Sequence, residues 1–132
     1  MADEVEIESL GARGDGVAEG GALYVPYTLP GERVRVVRHA DREGGRGRAE
    51  AVLTPSPERV EPLCPHFGTC GGCSLQHASD RFTARWKRDL IAVALAARGI
   101  AKAAIRPTIT SPPASRRRIT VAARRTRKGV LI

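Results

Sequence analysis

The chain has 132 residues and a formal net charge of +8, room for one ordinary domain or two small ones, and a β-barrel of about 60 residues within it would bury only a modest core. No apolar run approaches the roughly 20 residues of a membrane span and no charged leader precedes an apolar stretch, so a cytoplasmic location is the default expectation. Three cysteines are an odd count for a disulfide framework, and free thiols suit that compartment.

The charge is divided unevenly. Residues 1–80 carry 8 Lys+Arg against 13 Asp+Glu, whereas residues 81–132 carry 14 against 1. A 52-residue segment whose single acid is Asp89 repels itself unless a polyanion neutralises it, and a nucleic acid is the commonest such polyanion. The alternative is a solvated basic face. Arg116, Arg117, Arg118, Arg124, Arg125 and Arg127 are the residues expected to contact phosphate.

From Val5 to Leu53 short period-2 stretches are punctuated by glycine, which predicts strands and turns. Val5–Glu8, Val17–Ala18, Ala22–Val25, Glu32–Val37 and Arg48–Leu53 make five expected strands, the count of an OB-like barrel. Gly11, Gly14 and Gly16 read as a hairpin turn, because their order is not that of a dinucleotide fingerprint and no helical pattern follows. Pro30-Gly31 predicts a tight turn, and Gly44-Gly45-Arg46-Gly47 a loop. Arg13, Arg33, Arg35 and Arg38 are candidate phosphate contacts, and Tyr24 and Tyr27 either stack bases or pack at the edge of the core. Thr54-Pro-Ser-Pro57 and Pro62 mark a linker.

Cys64, Cys70 and Cys73 follow, in the spacing C-x5-C-x2-C, with Gly71-Gly72 allowing the backbone to fold tightly between the last two. Three thiols can converge on one centre, but a closed zinc or iron–sulfur site takes four ligands, and His66 and His77 are the candidates for the fourth. A disulfide, a Cys70/Cys73 redox pair and a Cys3His zinc site all remain open on the residues alone. Ser79 as N-cap, Asp80 in the first turn and Gly99 past the end predict a helix, with Phe82, Trp86, Leu90, Val93 and Ala97 as its apolar stripe. Beyond Pro107, Ile119–Ala122 alternates, Arg127-Lys-Gly129 turns, and Val130-Leu-Ile132 reads as a strand left without a partner.

The run Cys64-Pro-x-Phe-Gly-x-Cys70-Gly-Gly-Cys73-x-Leu-Gln76-His77, followed by Trp86-Lys87-Arg88, resembles the cluster loop of the S-adenosylmethionine-dependent RNA uracil-5-methyltransferases, which modify ribosomal and transfer RNA. Gly14–Glu19 and Pro30–Arg35 resemble turns of the TRAM domain, an OB-like RNA-binding barrel that precedes this loop in many family members. Arg116-Arg117-Arg118 before an alternating strand looks like the start of the family's central domain. The resemblance implies a [4Fe–4S] cluster on Cys64, Cys70, Cys73 and a fourth cysteine that this chain lacks. It also implies a cysteine nucleophile, an acid and a Rossmann-like domain for S-adenosylmethionine, none of which maps onto these residues.

The expected fold is therefore mostly β with one helix: a TRAM-like OB barrel over residues 1–58, a cysteine cluster loop over 59–78, and a basic helix plus strands, an incomplete α+β central domain, over 79–132. The function so implied is the RNA-binding and iron–sulfur portion of an RNA uracil-C5 methyltransferase acting on rRNA or tRNA, with the catalytic domain absent from this chain. The alternative is a stand-alone, non-catalytic RNA-binding protein with a Cys3His zinc site.

Overall fold

Alternation decides the first sheet. In the computed structural model, which describes residues 2–39, 45–118, 120 and 123–131, strand β5 (Arg33–Arg38) turns Val34 and Val36 into the core and Arg33 and Arg35 outward. It pairs antiparallel with β1 (Ala2–Glu6), setting Val5 opposite Val34 and Glu4 opposite Arg35, and on its other side with β6 (Gly47–Thr54). Two register shifts along β5 and β6 bend that pair. A second antiparallel sheet takes β2 (Ser9–Leu10), β3 (Gly16–Ala18) and β4 (Leu23–Val25) in that order.

Both sheets feed one core. Val5, Ile7, Ala18, Leu23, Val25, Val34 and Val36 are buried together, with Ala49 and Val52 packed against them. Removing these side chains from water is the main force joining the two sheets. Backbone bonds fix the joint: Tyr24 N–H donates to Gly45 O (2.7 Å) beside a parallel bridge from Tyr24 to Arg46. Gly16, opposite Val25 in the second sheet, is buried with no room for a side chain: a Cβ there would strike Thr28 Oγ1 and lie 3.1 Å from Val25 O.

The fold is thus mostly β with a single α-helix among the described residues, as expected. Among the described residues of the 1–58 region six strands stand where five were expected. Chain direction breaks at Ile7, which gives its N–H to Glu32 O (2.9 Å) and accepts from Gly31 N–H (2.8 Å), so β1 ends and β2 begins in the other sheet. The glycine cluster forms the β2–β3 turn, with Gly14 at φ 87° and Gly11 N–H bonded to Asp15 O (2.9 Å). Pro30-Gly31 turns as expected, with Gly31 at φ 81°. Gly44 of the expected Gly44–Gly47 loop lies outside the described residues.

Helix α1 (Asp80–Ala96) starts where its cap predicts: Ser79 is extended and its Oγ accepts from Phe82 N–H (3.1 Å). Gly99 at φ 81° ends it, and Ile100 N–H returns to Leu95 O (3.0 Å). The expected apolar stripe is only partly covered. Phe82, Trp86 and Leu90 are half-buried, Val93 and Ala97 are exposed, and no residue of the helix is fully buried. The expected strand at Ile119–Ala122 falls on residues of which all but Thr120 lie outside those described. Val130 is not left unpaired: β8 (Gly129–Leu131) forms a hairpin with β7 (Arg124–Thr126), setting Arg125 opposite Val130.

Candidate nucleic-acid interface and cysteine loop

The cysteine loop is a series of turns held at its base. Phe67 N–H donates to Cys64 O (3.1 Å), and Thr69 and Cys70 N–H both donate to His66 O (3.1 and 3.0 Å). Cys64 N–H donates to Gln76 Oε1 (3.1 Å), closing the loop. All three cysteines are free, Cys64 half-buried, Cys70 and Cys73 exposed. Cys64 and Cys73 share the wall of a cavity of about 710 Å³ with Leu75, Gln76 and Thr83. The donor set suits an iron–sulfur cluster, since three free thiols stand on one exposed loop. They are not gathered, however: among the described residues no three of His, Cys, Asp or Glu lie together as a metal site.

His77 is not poised as a fourth ligand. It is 1% exposed, its Nε2 lies 3.3 Å from Thr28 O, and its Nδ1 is buried without a partner. Phe67 stacks on its ring (centroids 5.5 Å apart, 28° between planes), and Tyr27 meets Phe67 edge-on at 5.0 Å. Burial lowers the His77 pKa below its ordinary value. The Tyr27, Phe67 and His77 rings therefore dock the loop onto the β-sheets, which answers the alternative left for Tyr27 in favour of packing. His66 stays exposed on the loop.

A buried ion pair completes the docking. Glu32 is fully buried; its Oε2 accepts from Leu29 N–H (2.8 Å), its Oε1 from Ser56 N–H (3.1 Å), and Arg59 binds both oxygens (2.6 and 2.8 Å). Arg59 also donates to Tyr27 O (2.9 Å). One residue earlier, Glu58 accepts from Ser79 Oγ and Arg81 (2.9 Å), tying the linker to the start of α1. The Ser79 and Arg81 hydrogen bonds hold the Glu58 carboxyl below the usual range. Sequence reading passed over Glu32, Arg59 and Glu58, because partners 27 or 21 positions apart leave no local pattern.

The arginines separate into two groups. On the β-sheets Arg33 and Arg35 bind Glu4 (2.7 and 3.3 Å), and Arg38 binds Asp3 (2.8 Å) and Glu19 (2.5 Å). Three of the four candidate phosphate contacts there already have carboxylate partners, and the Arg38 bonds lower the Glu19 pKa. Toward the C-terminus Arg116, Arg117, Arg118, Arg124, Arg125 and Arg127 are all exposed, and among the described residues none is in an ion pair. Arg124 and Arg125 lie on β7 and Arg127 on the turn that follows, so the hairpin presents a basic edge.

Comparison with known proteins places this arrangement. No family model matches the chain. An uncharacterised RNA methyltransferase of Brucella suis is 47% identical over 131 residues, covering 98% of this chain and 30% of the relative. One of Caulobacter vibrioides is 44% identical, covering 96% and 30%. The 23S rRNA (uracil(1939)-C(5))-methyltransferase RlmD of Bordetella avium is 49% identical over 81 residues, covering 58% of this chain and 17% of the relative. A solved structure, the Pyrococcus abyssi tRNA (uracil-54, C5)-methyltransferase with S-adenosyl-L-homocysteine, matches with a TM-score of 0.51 and 28% identity over 70% of this chain and 21% of that one. The chain belongs to the RNA methyltransferase family that its cysteine loop resembles, and spans about 30% of the length of the curated relatives it matches.

Proposed function

We propose that this chain is the RNA-binding and iron–sulfur portion of an S-adenosylmethionine-dependent RNA uracil-C5 methyltransferase acting on rRNA or tRNA, in the cytoplasm. The observation that carries the reading is the 47% identity that runs through 98% of the chain. In this reading residues 1–58 are a TRAM-like, OB-like barrel, 59–78 the cluster loop and 79–132 part of a central RNA-binding domain. Methyl transfer and S-adenosylmethionine binding belong to the remainder of the family's length.

The residues then divide the work. The guanidinium groups of Arg116, Arg117, Arg118, Arg124, Arg125 and Arg127 neutralise phosphates, releasing counterions from the RNA. Cys64, Cys70 and Cys73 would hold a [4Fe–4S] cluster together with a ligand from outside the chain; when bound, the cluster gathers the loop and contributes binding free energy to its order. The Glu32–Arg59 pair and the His77 stack keep the loop's base at a fixed place on the β-sheets. A stand-alone Cys3His zinc protein is less well supported, since the identity through nearly the whole chain is to RNA methyltransferases and the His77 ring is packed against Phe67 and directed at Thr28 O, which leaves His66 as its one exposed histidine on the loop.

Fluorescence anisotropy of the chain with labelled tRNA and 23S rRNA transcripts tests the reading. Six neutralised phosphates predict a log–log salt slope of about −4 to −5. Affinity indifferent to salt, or absent for both RNAs, overturns it.

A further inference from the structure

A second cleft is lined by residues of α1 other than Asp80 and Thr83, which line the cysteine cavity. Between α1 and the edge strand β2 is a cleft of about 340 Å³ whose walls include Leu10, Pro30, Phe82, Trp86, Arg85 and Asp89. Its size falls in the range of small-ligand sites. Of the chain's five aromatic residues, Tyr27 and Phe67 are packed on His77, whereas Phe82 and Trp86 stand one helical turn apart on this cleft and are only half-buried.

The charged side chains of Arg85 and Asp89 line the cleft beside the aromatic rings. The Arg85 guanidinium lies 5.8 Å from the Phe82 ring centroid, a flat cation at the rim. Asp89 is the single acid among residues 81–132, it is exposed, and among the described residues it has neither a hydrogen bond nor an ion pair from its side chain. A second carboxylate on the wall, Glu8, already accepts from Gly20 N–H (3.1 Å). An acceptor-only carboxylate set within a basic segment attracts an N–H edge, while Lys87 and Arg88, which among the described residues are in no ion pair, attract the phosphates on either side of it; Arg81 and Arg85 already face Glu58 (2.9 and 3.6 Å).

We propose that the α1–β2 cleft binds one unpaired RNA nucleobase, stacked on Trp86 and held at its N–H edge by Asp89. The assignment rests on the RNA-binding reading and adds to it: the arginine-rich C-terminus, which has no aromatic residue after Trp86, holds the backbone, and the cleft takes a base that has left the helix.

Trp86 is the chain's single tryptophan, so its emission reports this cleft alone. The intact chain is titrated with an RNA hairpin carrying an unpaired loop and with one that is fully paired apart from a synthetic linker, anisotropy giving binding and tryptophan emission giving stacking. Quenching by the looped hairpin, weak quenching by the paired one, and looped-hairpin affinity lowered about 5-fold or more by Asp89→Asn or Trp86→Leu are expected. Binding of both hairpins with unchanged emission overturns the base site while leaving RNA binding in place. Binding of neither overturns both. Quenching by S-adenosyl-L-homocysteine alone and not by the looped hairpin gives the cleft to an adenine and overturns the RNA assignment.

Discussion

Replacing Arg59 with methionine removes the charge that Glu32 faces while keeping most of the side-chain volume. Glu32 has a fully buried side chain and Arg59 is 25% exposed, so the pair sits between a surface bridge and a fully buried one. Breaking a fully buried pair costs about 3–5 kcal/mol, and the partial exposure of Arg59 reduces that. Two backbone donors, Leu29 and Ser56, stay with the carboxylate. The expected loss is about 2–3 kcal/mol, which for a β-domain of this size lowers the melting temperature by about 10 °C or more. Burial pushes the Glu32 carboxyl up, but hydrogen bonds from Arg59, Ser56 and Leu29 outweigh it, so its pKa lies below the ordinary 4.5. Its stabilisation is therefore fully present above pH 4.5 and fades as the pH falls through the lower folded value. Without Arg59 the carboxyl protonates more readily, so Arg59→Met should be most damaging near pH 7 and less so near pH 4. Circular dichroism melts at the two pH values measure this. A variant within about 0.5 kcal/mol of the parent at pH 7 would refute the buried-pair argument.

His77→Phe keeps the stack on Phe67 and removes a titrating group. Because burial lowers the His77 pKa below 6.5, the parent is at full stability above pH 6.5 and loses it as the pH falls through that value toward the lower folded one. Urea titrations at pH 7.5 and 5 should show a smaller acid-side loss in the variant; equal losses would count against the buried neutral ring. Gly16→Ala should cost about 1–3 kcal/mol through overpacking against Thr28 and the Val25 carbonyl, and a variant that melts with the parent contradicts that close approach. Anaerobic reconstitution should give acid-labile sulfide and broad absorption near 400 nm that disappear in Cys70→Ser or Cys73→Ser, whereas stoichiometric zinc without sulfide contradicts the cluster.

Local signals were legible where local physics decides. The Ser79 cap, the Pro30-Gly31 turn, the Val34/Val36 alternation and the β2–β3 glycine turn all follow from neighbours within a few positions. What escaped depended on long-range partners. His77 looks like a free ligand until Thr28, 49 residues away, and the Phe67 ring enclose it. Arg33, Arg35 and Arg38 look free until β1 brings Asp3 and Glu4 alongside. The three cysteines were legible as the donors, but their spacing did not reveal that the thiols stand apart in this arrangement.

That division between paired and unpaired arginines is the account's central claim, and the salt dependence of RNA binding by two triple variants measures it. Arg124, Arg125 and Arg127 become alanine in one, and Arg33, Arg35 and Arg38 in the other. The first should flatten the log–log slope with tRNA by about 2 to 3, in proportion to the phosphates no longer neutralised. The second removes cations that already bind Asp3, Glu4 and Glu19 and should leave the slope nearly unchanged. The opposite pattern, a slope flattened by the β-sheet triple and untouched by the hairpin triple, would contradict the account.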